Sequence, residues 1–203
     1  MSETKTEQKT ELQLATERLT AAQCMASGEL IRLRGVQEYD LGRLATLLAE
    51  APSAHVPLPW TEQRLKTKFE DKDKPGLWHD KEKTYAVIRL SNDELVGFIT
   101  EHKDDESVFV FFDIDSQCAD RAELGRDILQ VYRGLKTDWS ALHRIEVRIL
   151  SIEQEKAEWL AATGWQLSAQ IPQMYFHRGR PADLQIWDWV APWAEQLGAG
   201  DGT

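Results

Sequence analysis

The chain has 203 residues, of which 42% are hydrophobic and 29% charged, with 34 Asp and Glu against 24 Lys and Arg for a net charge of −10. That length is one domain, or one domain with an arm, and it buries roughly 70% of the unfolded surface without help from disulfides or a metal. The balance excludes wholesale disorder, argues against a nucleic-acid-binding surface, and suits a cationic or amine partner.

The opening MSETKTEQKTELQ is polar and has no apolar signal region, so a cytoplasmic protein is expected. Leu12, Ala15, Leu19 and Ala22 recur at helical spacing and predict a narrow amphipathic helix over about 11–25. Residues 1–27 read as a polar extension, and the sequence leaves open whether its helix packs on the body or on a second copy in a homodimer. Residues 29–33 alternate as a strand. Leu41, Leu44, Leu47 and Leu48 mark a helix over 37–50, and Pro52, Pro57 and Pro59 force a loop, APSAHVPLPW. A helix resumes over 61–69. Strands follow over 84–90 and 94–101, around the turn Ser91-Asn92-Asp93, and over 106–115. A long helix is expected over 121–139, a strand over 143–150, and a helix over 152–163 closed by Gly164. Strands over 174–178 and 184–190 flank the turn Gly179-Arg180-Pro181, and residues 193–203 read as a flexible tail. No stretch approaches the ~18 apolar residues of a membrane span. Cys24 and Cys118 lack the spacing of a zinc site or a disulfide framework, and no metal is expected. The order of elements implies an α/β protein, a mixed sheet with helices on its faces.

That order, with HRIEVRIL, then EKAEWLAATGW, then MYFHRGRPADLQIWDWV, resembles the GNAT N-acetyltransferase superfamily. The motifs are similar to those of the branch that acetylates ribosomal-protein N-termini: His143-Arg144-Ile145 opens a strand, Gly164-Trp165 ends a helix, and Gly179 with Asp183 marks a closing hairpin. The resemblance spans about residues 29–190 and implies a domain over 28–192. It further implies central strands that splay apart, here 106–115 and 143–150, to admit acetyl-CoA or another acyl-CoA. The pyrophosphate would rest on backbone N–H groups at the start of the next helix, where unpaired donors and the helix dipole attract an anion. The acceptor would be a small-molecule amine or a peptide N-terminus. The cofactor-binding positions implied are Ile114, Asp115, Arg121, Gly125, Arg126 and Glu153.

The chain departs from the family at its phosphate loop. In Asp120-Arg121-Ala122-Glu123-Leu124-Gly125, Gly125 matches the final glycine. Glu123 stands where the first glycine belongs, and Asp120 where a basic residue belongs. Asp and Glu at this spacing predict a capping box that closes the helix start. Glu153 stands where the family has an asparagine, and Leu160 where many members have a tyrosine acid. These departures leave two alternatives: a donor other than CoA, such as an acyl carrier protein, or a scaffold that binds without catalysis. Docking of an acidic carrier is disfavoured by the charge of −10.

Asp113 and Asp115 alternate onto one face of FVFFDID with Phe109 and Phe111, and either carboxylate could take a proton from an ammonium substrate; strand-end solvation is the plainer role. Glu101 and His102, ending the preceding strand, are comparable catalytic candidates or simply turn residues. His55 and Trp60 lie in the proline-stiffened loop that the resemblance assigns to the acceptor pocket, and Tyr175 could reach the same acceptor or pack in the core. Ser151 suits a helix N-cap, and Cys118 reads as structural.

Overall fold

The runs YAVI and LVGFI leave no polar face for water, so each must be covered on both sides. A computed structural model describes residues 24–51, 60–70, 77, 81–103, 108–139 and 144–191, and in it both runs lie in a sheet between two helical layers. The strands are β1 (Cys24–Ser27), β2 (Ile31–Gly35), β3 (Glu82–Arg89), β4 (Leu95–Lys103), β5 (Val108–Ile114), β6 (Arg144–Leu150), β7 (Gln166–His177) and β8 (Arg180–Val190). The helices are α1 (Leu41–Glu50), α2 (Glu62–Phe69), α3 (Arg121–Trp139) and α4 (Gln154–Ala162). The sheet runs β1-β2-β3-β4-β5-β6-β8-β7. Every neighbouring pair is antiparallel except β5 and β6, whose parallel pairing requires the α3 crossover.

Two cores follow from the alternation. On one face α3 and α4 pack Leu124, Ile128, Tyr132 and Trp159 against Val87, Val96, Val110, Phe112 and Val147. On the other, α1 and α2 pack Leu44, Leu48, Leu65 and Phe69 against Ala86, Ile88, Phe98 and Phe111. The expected α/β architecture, a mixed sheet with helices on both faces, is therefore the one observed. Thr61 caps α2 by accepting from Arg64 N at 3.3 Å. Gly164, at φ +86°, ends α4 as expected, with Trp165 N donating to Leu160 O at 3.0 Å.

Three elements differ from the sequence reading, one of them β8, which begins at Arg180, inside the expected turn and before the expected residue 184. Most of the helix expected over 11–25 lies outside the described residues, but Cys24 and Met25 belong to strand β1, paired with Leu33 and its neighbours. Strand β7 begins at Gln166, well before the expected residue 174. Pro172 hides a strand that lies at the sheet edge, where proline is tolerated, and a register shift between Ile171 and Tyr175 absorbs Gln173 at φ +52°. The hairpin turn falls on Arg178 and Gly179, both at positive φ, the arrangement of a type I′ turn.

One side chain joins the first hairpin to the crossover helix. Asp127 in α3 accepts from the backbone N–H of Leu30 at 2.7 Å, Ile31 at 3.0 Å and Glu29 at 3.4 Å. Its loss leaves these donors facing a helix. Asp127→Ala is expected to lower the unfolding free energy by about 2–3 kcal/mol in urea titration. Asp127→Asn, which keeps one accepting oxygen, should lose less.

Candidate functional site

The parallel strands β5 and β6 are in register only at Phe109–Glu146 and Val110–Val147. Beyond that point β5 stays with β4 as far as Ile114, and β6 stays with β8 as far as Leu150. The sheet thus forks after Val110, and the backbone groups facing into the fork have no strand partner. Buried N–H and C=O groups need one.

Side chains from α3 and α4 meet that need. Lys156 Nζ donates to Phe112 O at 2.8 Å, and Arg121 Nε donates to Ile114 O at 3.0 Å. Leu150 N donates to Glu153 Oε2 at 2.7 Å. The same groups pair with one another. Lys156 Nζ lies 2.5 Å from Glu153 Oε1 and 3.1 Å from Asp113 Oδ2, while Arg121 Nη2 lies 2.9 Å from Asp113 Oδ1. Arg121 also pairs with Glu155 and rests over the Trp159 ring, 5.2 Å from its centroid. Burial pushes the Lys156 ammonium down, but Asp113 and Glu153 more than offset it, so its pKa stays above the ordinary value and the group is charged. The expected residues Asp113, Ile114, Arg121 and Glu153 thus come together in one network at the fork. Both oxygens of Asp113 are engaged, Oδ1 also by Ile114 N at 2.9 Å.

The start of α3 is not closed by the expected capping box. Asp120 turns to Arg89 Nη2 at 2.6 Å, and Glu123 lies 3.7 Å from Arg126 Nη2, so among the described contacts neither carboxylate caps the helix. The first helical bond is Leu124 N to Asp120 O, and the N–H groups of Arg121, Ala122 and Glu123 precede it. Those donors suit the pyrophosphate of a CoA thioester, with Arg89 and Arg126 nearby. The pantetheine arm fits less well, because Lys156, Arg121 and Glu153 already hold the backbone groups of the fork. Asp115 sits at this end too, paired with Arg43 of α1 and accepting from Gln117 N at 2.9 Å. Gly125 has a packing role: a Cβ there would run into the Trp159 ring.

Across the sheet, on the α1–α2 side, lies a cavity of about 60 Å³, room for about four water molecules. Leu44, Leu48, Trp60, Leu65, Leu77 and Phe111 give it apolar walls; Glu82, Thr84, Thr100, His102 and Lys68 supply its polar groups. Trp60 is therefore a cavity wall, with Lys68 Nζ 5.2 Å from its ring centroid. His102 stacks on Phe109 at 4.9 Å and 10°, and on Phe111 at 5.3 Å and 26°. Phe111 is the first β5 residue past the last paired position, whereas His102 lies on β4 opposite Phe109, with β5 between it and β6.

The β4 alternation separates Glu101 from its neighbour. Glu101 faces α3, where it pairs with Lys136 and accepts from Tyr132 Oη at 3.0 Å and Tyr85 Oη at 3.3 Å. Burial and this carboxylate push both phenols well up, while burial draws the Lys136 ammonium down against the pull of Glu101. Glu101 and Asp113 are thus both held by cations of the α3–α4 layer but in separate clusters, while Asp115 turns to Arg43 of α1. His55 lies outside the described residues. Tyr175 is half-buried on edge strand β7 opposite Ala182 and does not line the cavity. Ser151 does not cap α4, whose N-cap is Glu153; its Oγ accepts from Asp183 N at 3.1 Å and ties the fork to β8. Burial pushes the Cys118 thiol up, in keeping with a structural role. Sequence reasoning missed Lys156, Arg43, Arg89 and Glu82. Lys156 alone left a signal, because it shares the inward spacing of Trp159 and Leu160.

No protein-family model matches the sequence, and no curated protein does. Solved structures match in fold. A GNAT-family acetyltransferase from Bacillus anthracis superposes with a TM-score of 0.65 at 14% identity, covering 81% of this chain and 97% of that one. The spermidine N-acetyltransferase of Vibrio cholerae, solved with CoA and spermine, gives 0.63 at 15%, covering 79% and 95%. The ribosomal-protein-S5-alanine acetyltransferase of Vibrio fischeri gives 0.59 at 17%, covering 82% and 96%. The chain has the fold of the GNAT acetyltransferases.

The Gly125–Trp159 contact makes a prediction that separates packing from ligand binding. Gly125→Ala should lower the unfolding free energy by about 1–3 kcal/mol with no ligand present, because the Trp159 ring has to shift within a filled core. Chemical denaturation measures this directly.

Proposed function

We propose that this protein is an N-acyltransferase that moves an acetyl or other acyl group from a CoA thioester to a primary amine by direct attack. The observation that carries the reading is the fork after Val110 and Val147, with a cavity on the opposite side of the sheet from α3 that reaches β5 at Phe111, the first residue past the paired positions. A donor reaching the fork from the α3 side and an acceptor in the cavity would meet there, and alignment of two reactants is itself a large part of the rate. The fold shared with a spermidine acetyltransferase solved with CoA supports the donor class. The N–H groups at the start of α3 suit the anionic end of the donor. Asp113 and Asp115, held by Arg121, Lys156 and Arg43, act in this reading as positioning groups. Lys156 must leave the Phe112 carbonyl for the thioester arm to pair with the β5 backbone.

Acetyl-CoA at 100 times its Kd adds about 2.7 kcal/mol of stability. For a chain of this size the melting temperature should rise by about 5–10 °C. Absence of a shift, together with no heat of binding in calorimetry, rejects the reading.

The filled fork favours a second reading, a scaffold of this fold that takes no thioester. Lys156→Met tests it. A wild type that ignores acetyl-CoA beside a folded Lys156→Met that binds it would identify the lysine as a permanent plug. The substitution leaves Asp113 and Glu153 without their shared cation, so it should also cost about 3–5 kcal/mol of stability.

A further inference from the structure

The cavity on the α1–α2 side has walls of leucine, tryptophan and phenylalanine, and only one carboxylate, Glu82, among its described lining residues. That carboxylate is already matched by Lys68, and its other oxygen lies 4.0 Å from His102 Nδ1. No surplus negative charge remains there for a second or third cation of a polyamine. The walls instead offer burial to a hydrocarbon group of a few carbons, the size that about 60 Å³ admits. His102 is the group at the cavity with a free-base form available near neutrality. It is held flat against Phe109 and Phe111, which orients it, and through the Phe111 ring it adjoins the first β5 position past the paired residues.

We propose that this cavity is the acceptor subsite for a primary amine bearing one short apolar group, and that His102 is the catalytic residue that receives the amine's proton. The inference rests on the acyl-transfer reading above. An ammonium substrate gives one proton to the imidazole. The freed lone pair forms the C–N bond at the thioester carbonyl. The C–S bond then breaks, the departing thiolate takes a second proton from the new nitrogen, and His102 returns its own to solvent. The products are an amide, a free thiol and one proton.

The surroundings of His102 favour the receiving form. Burial lowers its pKa from the ordinary 6.5. Lys68 from α2 and Arg148 from β6 push the same way, while Glu82 from β3 and Glu101 on its own strand oppose them. The net direction is down, so the ring is neutral at pH 7 and charges only as the pH falls below about 6.5.

The test uses acetyl-CoA as donor with isobutylamine and spermidine as acceptors. The wild type should favour isobutylamine at least tenfold in kcat/KM. Its profile should fall away on the acid side, with a midpoint below about 6.5. His102→Gln should lose about 10²–10⁴-fold in kcat, lose that acid limb, and keep its affinity for acetyl-CoA in calorimetry. In His102→Ala, added imidazole should restore part of the rate. A His102→Gln within threefold of wild type with the acid limb intact overturns the proposal, and so does a preference for spermidine. Should the variants fail to fold, a wild-type profile with no acid limb overturns it without them. A wild type that binds acetyl-CoA yet acetylates neither amine defeats this inference alone; one that takes up no acetyl-CoA defeats the acyl-transfer reading and this inference with it.

Discussion

One constraint organises the molecule: a parallel pair in the middle of an otherwise antiparallel sheet, in register for only two residue pairs. Past that point the sheet exposes main-chain donors and acceptors inside the protein, where none can be left alone without a cost of about 1–3 kcal/mol each. The chain answers with charge. Lys156, Arg121 and Glu153 reach in from the two helices that flank β6 in sequence and bond Phe112, Ile114 and Leu150. Because the reaching groups are ionic, they need counter-ions, and Asp113 and Glu155 take those places. The fork, the position of α4 and the contact of Trp159 with Gly125 are one structural event.

The opposite face is built differently. There the alternation of β3, β4 and β5 turns Thr84, Thr100 and His102 toward α1 and α2, and leaves a small opening instead of a charged cluster. The two sides meet only at the fork, where Phe111 shares its ring with His102 while its neighbour Phe112 gives its carbonyl to Lys156. Successive residues of one strand therefore belong to the two halves of the site. That is what period-two alternation provides where a sheet opens.

Much of this was legible before any coordinates. The stripe Leu41–Leu44–Leu48 fixes α1, the unbroken apolar runs fix β3 and β4 as doubly covered strands, and Gly164 marks the end of α4. The resemblance of the C-terminal motifs pointed to a splayed parallel pair, which is present. What escaped the reading has physical causes. Strand β7 does alternate through Leu167, Ala169 and Ile171, but Pro172 interrupts the run, and the apolar side chains stay exposed at the sheet edge instead of marking a buried face. Asp120 and Glu123 have capping-box spacing, but spacing cannot register Arg89, which arrives from the end of β3 and takes Asp120 in place of the helix N–H groups. Glu101 and His102 are adjacent in sequence and looked equivalent, while alternation sends them to separate cores. Lys156 sits on an inward face, and a lysine there is discounted unless its β5 partners Phe112 and Asp113, three elements earlier in the chain, are already known.

The chemistry of the fork bears on whether its occupant is fixed or removable. A leucine plug would resist leaving, because its burial is lost the moment it moves into water. A lysine differs: its ammonium regains full hydration outside, its four-carbon stem can lie along an apolar surface, and its flexible chain can swing without moving the helix. The buried ion cluster also contributes little net stability over apolar packing of the same shape, since desolvation cancels most of the attraction. Withdrawing the lysine still strands Asp113 and Glu153 at a cost of about 3–5 kcal/mol, so it gives way only to a ligand able to supply the same backbone bonds. A thioester arm carrying amide groups is such a ligand: its N–H can replace the Lys156 donor at Phe112, and its C=O can replace the Glu153 acceptor at Leu150. The filled fork and the acyl-transfer reading are thereby compatible on energetic grounds, provided that Asp113 and Glu153 keep Arg121 or the displaced lysine within reach as counter-charge.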